Sequence, residues 1–333
     1  MRVQQQADST PTRSARTVGA AVAVGIGAAV AVQTRINGEL GQRIDDGVVA
    51  ALLSFLGGLL LLMLLAAARP SMRRGLGRVV AAVRHRTLRP YQLLGGICGA
   101  FLVACQGLTV ATIGVAVFTV AVVAGQTVSG LLVDRAGLGP GEPRPVSPRR
   151  IAGAILALAA VVLAVTDRLG APQALWLAVL PALAGVVTAW QQAVNGRVGA
   201  AARDGGPMLA GMLPAAMVNF VVGTVALALV TAVEVAIRGL PEPLPAQPWL
   251  YLGGALGVLF IGAAAVIVPI TGVLLLGLAT VAGQLVGALL LDLFVPTGRD
   301  QLTATTLIGT ALALVAVTVI ALPSRSRASR SSV

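Results

Sequence analysis

Apolar stretches of about 20 residues alternate along this chain with short segments rich in arginine, proline and glycine. A helix needs about 20 apolar residues to cross the ~30 Å hydrocarbon core of a bilayer. The pattern therefore predicts an all-α integral membrane protein with ten transmembrane helices. They are Val18 to Ile36, Val48 to Ala68, Tyr91 to Ala111, Ile113 to Val133, Ile151 to Thr166, Ala174 to Val194, Met208 to Val233, Trp249 to Val268, Ile270 to Leu291 and Leu302 to Leu322.

The first apolar stretch also has features of a cleavable signal peptide. Arg13 and Arg16 precede small apolar residues and the segment Ala29-Val30-Ala31, a pattern typical of such peptides. The stretch has a sequence match in the sixth predicted helix, where a signal peptide cannot lie. The match favours a retained helix.

Composition narrows the function classes. Hydrophobic residues make up 57% of the 333 residues and charged residues 11%, and all 24 basic residues are arginines. Without lysine, Schiff-base and P-loop chemistry are excluded, and His85 alone cannot supply a multi-histidine metal site. Cys98 and Cys105 share a helix face and are interpreted as small buried apolar residues. We expect no enzyme and no cofactor.

Arginine positions predict the orientation. Connecting segments on one side hold 19 arginines and those on the other side hold five, and arginine-rich segments stay in the cytoplasm. Both termini are therefore predicted to be cytoplasmic. The densest segment, Arg69 to Arg89, is expected to be a loop that also contacts anionic lipid. Because the arginines border apolar stretches, the net charge of +12 points to the bilayer and not to nucleic acid.

The two halves of the chain match at a spacing of 158 residues, which slips to 165 in the second helix. The matches include Gln33-x-x-x-Asn37-Gly38 with Gln191-x-x-x-Asn195-Gly196, Gly95-Gly96-x-x-Gly99 with Gly253-Gly254-x-x-Gly257, Gly114-Val115 with Gly272-Val273, Val123-Ala124-Gly125-Gln126 with Val281-Ala282-Gly283-Gln284, and Phe55-x-x-Gly58 with Phe220-x-x-Gly223. Each half holds five predicted helices, so the second copy must run opposite to the first. Such inverted repeats are typical of secondary transporters, whose substrate site lies near the midplane between the repeats.

The predicted organisation follows from this repeat. It comprises a cytoplasmic tail at 1–17, a first five-helix repeat at 18–166, a connecting loop at 167–173, a second five-helix repeat at 174–322 and a cytoplasmic tail at 323–333.

The sequence resembles the drug/metabolite transporter superfamily, and within it the YdcZ-like family. The resemblance rests on Gln33-x-x-x-Asn37-Gly38, Ser54-Phe55-x-x-Gly58 and Val123-Ala124-Gly125-Gln126, and it extends over residues 18–322. Members are often single five-helix units, so this chain looks like a fused tandem duplication. The resemblance implies an inner-membrane transporter of small molecules, with export as one direction. Small multidrug relatives use a glutamate inside the first helix, but the first predicted helix here has no acid until Glu39, at its far end.

The candidate substrate-binding residues are uncharged amides. Gln126 and Gln284 occupy equivalent positions near the middle of the fourth and ninth predicted helices. An amide in hydrocarbon must find a partner, so each either binds substrate or joins helices. The neighbouring Gly125 and Gly283 are interpreted as packing positions that can also open a path for substrate.

Two further amide pairs lie at opposite membrane faces. Gln33 and Asn37 end the first helix, and Gln191 and Asn195 end the sixth, as expected of gates in an alternating-access transporter. The following glycines, Gly38 and Gly196, also suit the left-handed residue that terminates many helices. Gln106, Thr109, Thr112, Gln192 and Asn219 are secondary candidates for a polar lining.

Asp134 and Asp292 end the fourth and ninth predicted helices. Acids in membrane helices mark proton paths, but their terminal position favours solvated helix caps. The sequence therefore favours a secondary transporter of a small organic solute over a structural or lipid-handling membrane protein. The expected partners are that solute and the bilayer, and a homodimer is compatible with this organisation.

Overall fold

The computed structural model describes residues 13–165, 179–239, 241–294 and 304–321. Within these ranges the chain forms ten α-helices and no β-strand, which confirms the all-α prediction. The helices are α1 Arg13–Arg43, α2 Gly47–Ala68, α3 Pro70–Arg84, α4 Gly95–Arg135, α5 Pro148–Val165, α6 Val179–Arg203, α7 Met212–Arg238, α8 Gly253–Thr271, α9 Val273–Phe294 and α10 Ala304–Ala321. The predicted connecting loop at 167–173, the C-terminal tail at 323–333 and residues 1–12 of the N-terminal tail lie outside the described residues.

Six helical segments of the described part are long and apolar enough to cross a membrane. They are Ser14–Arg43, Gly47–Ala68, Pro90–Thr109, Leu209–Arg238, Pro248–Thr271 and Val273–Leu291. Large apolar side chains point away from the bundle along these segments. Leu229 and Ile237 are 66% and 78% exposed, for example, which suits contact with lipid and not with water.

The arginine-rich segment Arg69 to Arg89 is mostly helical, so its prediction as a loop was wrong. Pro70 begins α3, a position that proline favours, and the buried residues Met72, Gly75 and Val79 recur at helical spacing. This face packs against α6 and α7 of the other repeat. An apolar stripe this narrow escapes a search for continuous apolar runs.

The third and fourth predicted helices form the single helix α4 instead of two separate helices. A straight helix of this length would separate its ends by about 60 Å. Both ends nevertheless lie beside the end of α6. A Cβ atom on Gly95 would be 2.6 Å from Asn195 Oδ1, and Arg197 Nε donates to the Leu138 carbonyl at 2.5 Å, just after α4 ends. The path of α4 therefore bends back between these two ends.

The two repeats run in opposite directions. At the start of α1, Gly19 faces Thr271 at the end of α8. The loop after α4 contacts Thr271 through Arg144 Nη1 and the end of α6 through Arg197. The start of α1 and the end of α6, its equivalent, therefore lie at the same end of the bundle.

Candidate functional site

A cavity lies in the centre of the bundle, between the two repeats. It has about 640 Å³ of empty space, including its opening, but only a small part is wide enough to hold a water molecule. Its lining residues are Val30, Gln33, Phe55, Gly99, Leu102, Val103, Gln106, Val122, Gln126, Thr188, Gln191, Phe220, Gly257, Phe260, Ile261, Thr280 and Gln284. None of these seventeen side chains is ionisable.

The cavity follows the internal repeat. Sixteen of the seventeen lining residues form eight pairs at the repeat spacing, and Gln106 is the exception. The pairs are Val30 with Thr188, Gln33 with Gln191, Phe55 with Phe220, Gly99 with Gly257, Leu102 with Phe260, Val103 with Ile261, Val122 with Thr280 and Gln126 with Gln284. The cavity therefore lies on the pseudo-two-fold axis that relates the repeats.

Close helix crossings position Gln126 and Gln284 at the cavity. A Cβ atom on Gly125 would overlap the Ala182 carbonyl of α6, and one on Gly283 would overlap the equivalent Val24 carbonyl of α1. These glycines let backbones touch, which favours the packing interpretation of Gly125 and Gly283. The adjacent glutamines then face the cavity from both repeats.

Gln33 and Gln191 line the cavity, each beside a glycine of the opposite repeat. A Cβ atom on Gly257 would lie 2.9 Å from Gln33 Nε2, and one on Gly99 would lie 2.6 Å from Gln191 Nε2. Four of the six candidate substrate-binding residues are thus gathered around one space. Gln191 is 1% exposed, and its Nε2 has no hydrogen-bond partner among the described residues.

Asn37 and Asn195 do not line the cavity but lie one helical turn beyond it, at opposite ends of the bundle. Asn195 Oδ1 accepts a hydrogen bond from Asn219 Nδ2 at 3.3 Å and packs on Gly95. Asn37 packs equivalently on Gly253, beside Ser54. Each asparagine therefore closes a contact between repeats, one at each end.

Gly38 and Gly196 do not terminate their helices, and that interpretation was wrong. The helix α1 continues to Arg43 and α6 continues to Arg203. Neither glycine has a positive φ; the left-handed residues after these helices are Asp45, with φ 49°, and Asp204, with φ 45°. The two glycines also differ in surroundings. Gly38 faces open space, whereas a Cβ atom on Gly196 would lie 3.0 Å from Pro140 Cδ.

Asp134 is buried, so its interpretation as a solvated cap was wrong. Its carboxylate forms an ion pair with Arg150 and accepts hydrogen bonds from the backbone amides of Val273, at 2.7 Å, and Leu274, at 3.2 Å. It therefore caps the first turn of α9, in the other repeat, where a negative charge is favourable. The side chain of Asp292, its equivalent, lies outside the described residues.

Arg144 binds the adjoining end of α8. Its guanidinium donates to the carbonyls of Thr271 at 2.8 Å and of Pro269 and Ile270 at 3.1 Å each. Burial lowers the pKa of this guanidinium, and the charge of Asp134 opposes that effect. We refer to Asp134, Arg144 and Arg150 as the charged clamp. It holds both sides of the break between α8 and α9.

The secondary candidates divide between the cavity and the helix contacts. Gln106 lines the cavity and donates through Nε2 to Thr34 Oγ1 at 3.3 Å. Thr109 is satisfied by the Cys105 carbonyl, and Gln192 is buried away from the lining. The side chain of Thr112 lies outside the described residues.

The aromatic wall of the cavity was not predicted from the sequence. The Phe55 and Phe220 rings lie 4.9 Å apart between centroids, with planes inclined by 34°. Each ring packs where a Cβ atom on Gly223 or Gly58 of the opposite repeat would lie. The Phe-x-x-Gly motif occurs in both repeats. This occurrence of the same residues in both copies could have predicted the contact.

Comparison with known proteins agrees with this architecture. The family model described as "Putative inner membrane exporter, YdcZ" matches residues 18–163 and 176–319, one match for each repeat. No curated protein matches. A solved structure titled only "Crystal structure of protein" shares 20% identity at a TM-score of 0.57, covering 92% of this chain and 96% of that chain, and so shows the fold alone. The chain thus belongs to the YdcZ family within the drug/metabolite transporter superfamily and is a multi-pass inner-membrane transporter.

Proposed function

We propose that the protein is a secondary transporter that moves a small organic solute through the central cavity by alternating access. The observation that carries this proposal is the pairing of the cavity lining across the inverted repeat. A site on a pseudo-two-fold axis has equivalent walls toward both membrane faces. Movement of one repeat against the other can then expose the same groups to either side.

The contacts at Asn37 and Asn195 support the same mechanism. They are equivalent, lie beyond opposite ends of the cavity and each join two repeats. Opening one while the other stays closed gives access from one side only. The cavity is built by one chain, so the proposal does not require a second copy.

The proposed orientation places the charged clamp in the cytoplasm. The same end of the bundle carries Arg135, Arg149, Arg197 and Arg203, and arginine-rich ends remain inside. With ten passes both termini are then cytoplasmic. A cysteine introduced at exposed Arg74 in α3, with Cys98 and Cys105 replaced, should react with an impermeant thiol reagent only after the membrane is permeabilised. Labelling of intact cells would reverse the orientation.

The transport proposal is tested by comparing small molecules inside and outside cells that contain or lack the protein. The variants Gln126→Leu and Gln284→Leu keep side-chain size but remove the amide, and should abolish the difference at unchanged membrane yield. Gln42→Leu, at an exposed position at the end of α1, is the matched control and should behave as wild type. Normal transport by both cavity variants would refute the cavity as the transport site. No change in any solute would favour the structural or lipid-handling alternative.

A further inference from the structure

We propose that the central cavity selects small uncharged molecules that carry a carboxamide-like group and a flat apolar face. This inference rests on the proposed function, because it identifies the solute class of the same cavity. It rests on three features of the lining: the lack of charged side chains, the unpaired polar atoms and the aromatic wall.

The lack of charged side chains in the lining disfavours binding of ions. None of the seventeen lining residues is ionisable, so a bound ion would find no counter-charge there. An unpaired charge in the membrane interior costs roughly 3 kcal/mol or more. The buried carboxylate of Asp134 cannot compensate, because Arg150 and two backbone amides already occupy it.

The polar atoms of the cavity require both a donor and an acceptor on the ligand. Among the described residues, Gln191 Nε2, Gln106 Oε1 and Thr280 Oγ1 are buried without a hydrogen-bond partner. A buried polar atom left unpaired is costly, so a bound molecule that pairs with it gains affinity. An acceptor would serve the Gln191 amide, a donor would serve the Gln106 carbonyl, and a carboxamide offers both.

The Phe55 and Phe220 rings supply an apolar wall across the axis. Their positions are fixed, because each ring packs against a backbone that only glycine allows, at Gly223 and Gly58. Fixed aromatic rings favour a ligand with a flat apolar face. The small cavity, with room for only a few water molecules, favours a small ligand.

Benzamide, benzamidine and benzoate test this inference, because they share one shape but are neutral, cationic and anionic at neutral pH. Binding to the full chain in lipid nanodiscs would be measured by saturation-transfer NMR, with empty nanodiscs as the blank. We expect benzamide to bind about tenfold or more tightly than either ion, a difference of about 1.4 kcal/mol or more. Gln191→Leu should weaken benzamide binding, and Gln42→Leu should not.

Equal or tighter binding of benzamidine or benzoate, or no binding of benzamide, would overturn the inference. The wild-type series decides this even if Gln191→Leu fails to fold. The outcome is also separable from that of the transport proposal. Selective benzamide binding without any solute flux would leave the ligand class standing and refute transport. Transport of a charged solute that is abolished by Gln126→Leu would support the transport proposal and refute the ligand class.

Discussion

The backbone at the repeated Gly-Val step differs between the two repeats. In the second repeat, α8 ends at Thr271, Gly272 takes φ 80° and ψ 170°, and α9 begins at Val273. In the first repeat, the equivalent Gly114 lies within α4, which bends back between its two ends but keeps helical backbone at this step. Both copies contain the same Gly-Val step. The local sequence alone therefore does not decide whether the hairpin breaks.

The charged clamp stabilises the break in the second repeat. A broken helix leaves backbone carbonyls and amides that need hydrogen-bond partners. Arg144 binds three carbonyls at the end of α8, and Asp134 binds two amides at the start of α9. Asp134 lies in the last turn of α4 and Arg144 in the segment that follows, so one repeat stabilises the break in the other.

In the proposed mechanism, this asymmetry would distinguish the two access states. Inverted repeats that adopt different conformations can exchange them, and the pseudo-two-fold axis then turns the cavity toward the other face. The broken hairpin would belong to one state and the continuous hairpin to the other. Three comparisons of equivalent or matched positions test this account.

The largest effect is expected from Asp134→Ala. The substitution removes two cap hydrogen bonds and leaves Arg150, which is 15% exposed, without its carboxylate. Removing one partner of a buried ion pair costs about 3 kcal/mol. The matched control is Asp46→Ala, which removes a cap of two amides in α2 without an ion pair and should cost about 1 kcal/mol. Thermal unfolding in detergent measures both, and equal losses would show that the clamp adds nothing to an ordinary cap.

The next largest effect is expected from comparing alanine substitutions at the two equivalent glycines, Gly272 and Gly114. Alanine at Gly272 would be strained at φ 80°, at a cost of about 2 kcal/mol, and its Cβ atom would lie 2.8 Å from Asp134 Oδ2. Alanine at Gly114 should stabilise the helix by about 0.5–1 kcal/mol, because Gly114 is helical. If the hairpins exchange conformations, Gly114→Ala should still reduce transport, since it opposes the break. A stable Gly114→Ala variant with full transport would refute the exchange.

Features that depend on periodicity or on the repeat could be predicted from the sequence. The apolar runs gave the all-α architecture, and the 158-residue spacing led to four glutamines that meet in one cavity. Equivalent residues of the two repeats come close together only near the pseudo-two-fold axis. A polar residue that is repeated in the middle of a helix is therefore a strong candidate for the central site. The same rule applied to Phe55 and Phe220 would have added the aromatic wall.

Features that depend on contacts between distant segments could not be predicted. Asp134 looks like a solvated helix end until α9 packs against it, and the fold-back of α4 depends on contacts at both of its ends. The Asn-Gly steps favoured helix ends locally, but packing of Asn37 and Asn195 between repeats keeps the helices intact. Tertiary contacts thus overrode local preference at these positions.

The smallest expected effect distinguishes Gly196 from its equivalent Gly38. A Cβ atom on Gly196 would lie 3.0–3.1 Å from Pro140 and Val268, because the loop between α4 and α5 covers the end of α6. Gly196→Ala should therefore cost about 1 kcal/mol through overpacking. Gly38→Ala meets nothing within 4 Å and should gain about 0.5 kcal/mol as a better helix former. Thermal unfolding of the two variants gives the difference directly. If both alanines stabilise the protein, the loop yields at Pro140 and does not hold the end of α6 in place.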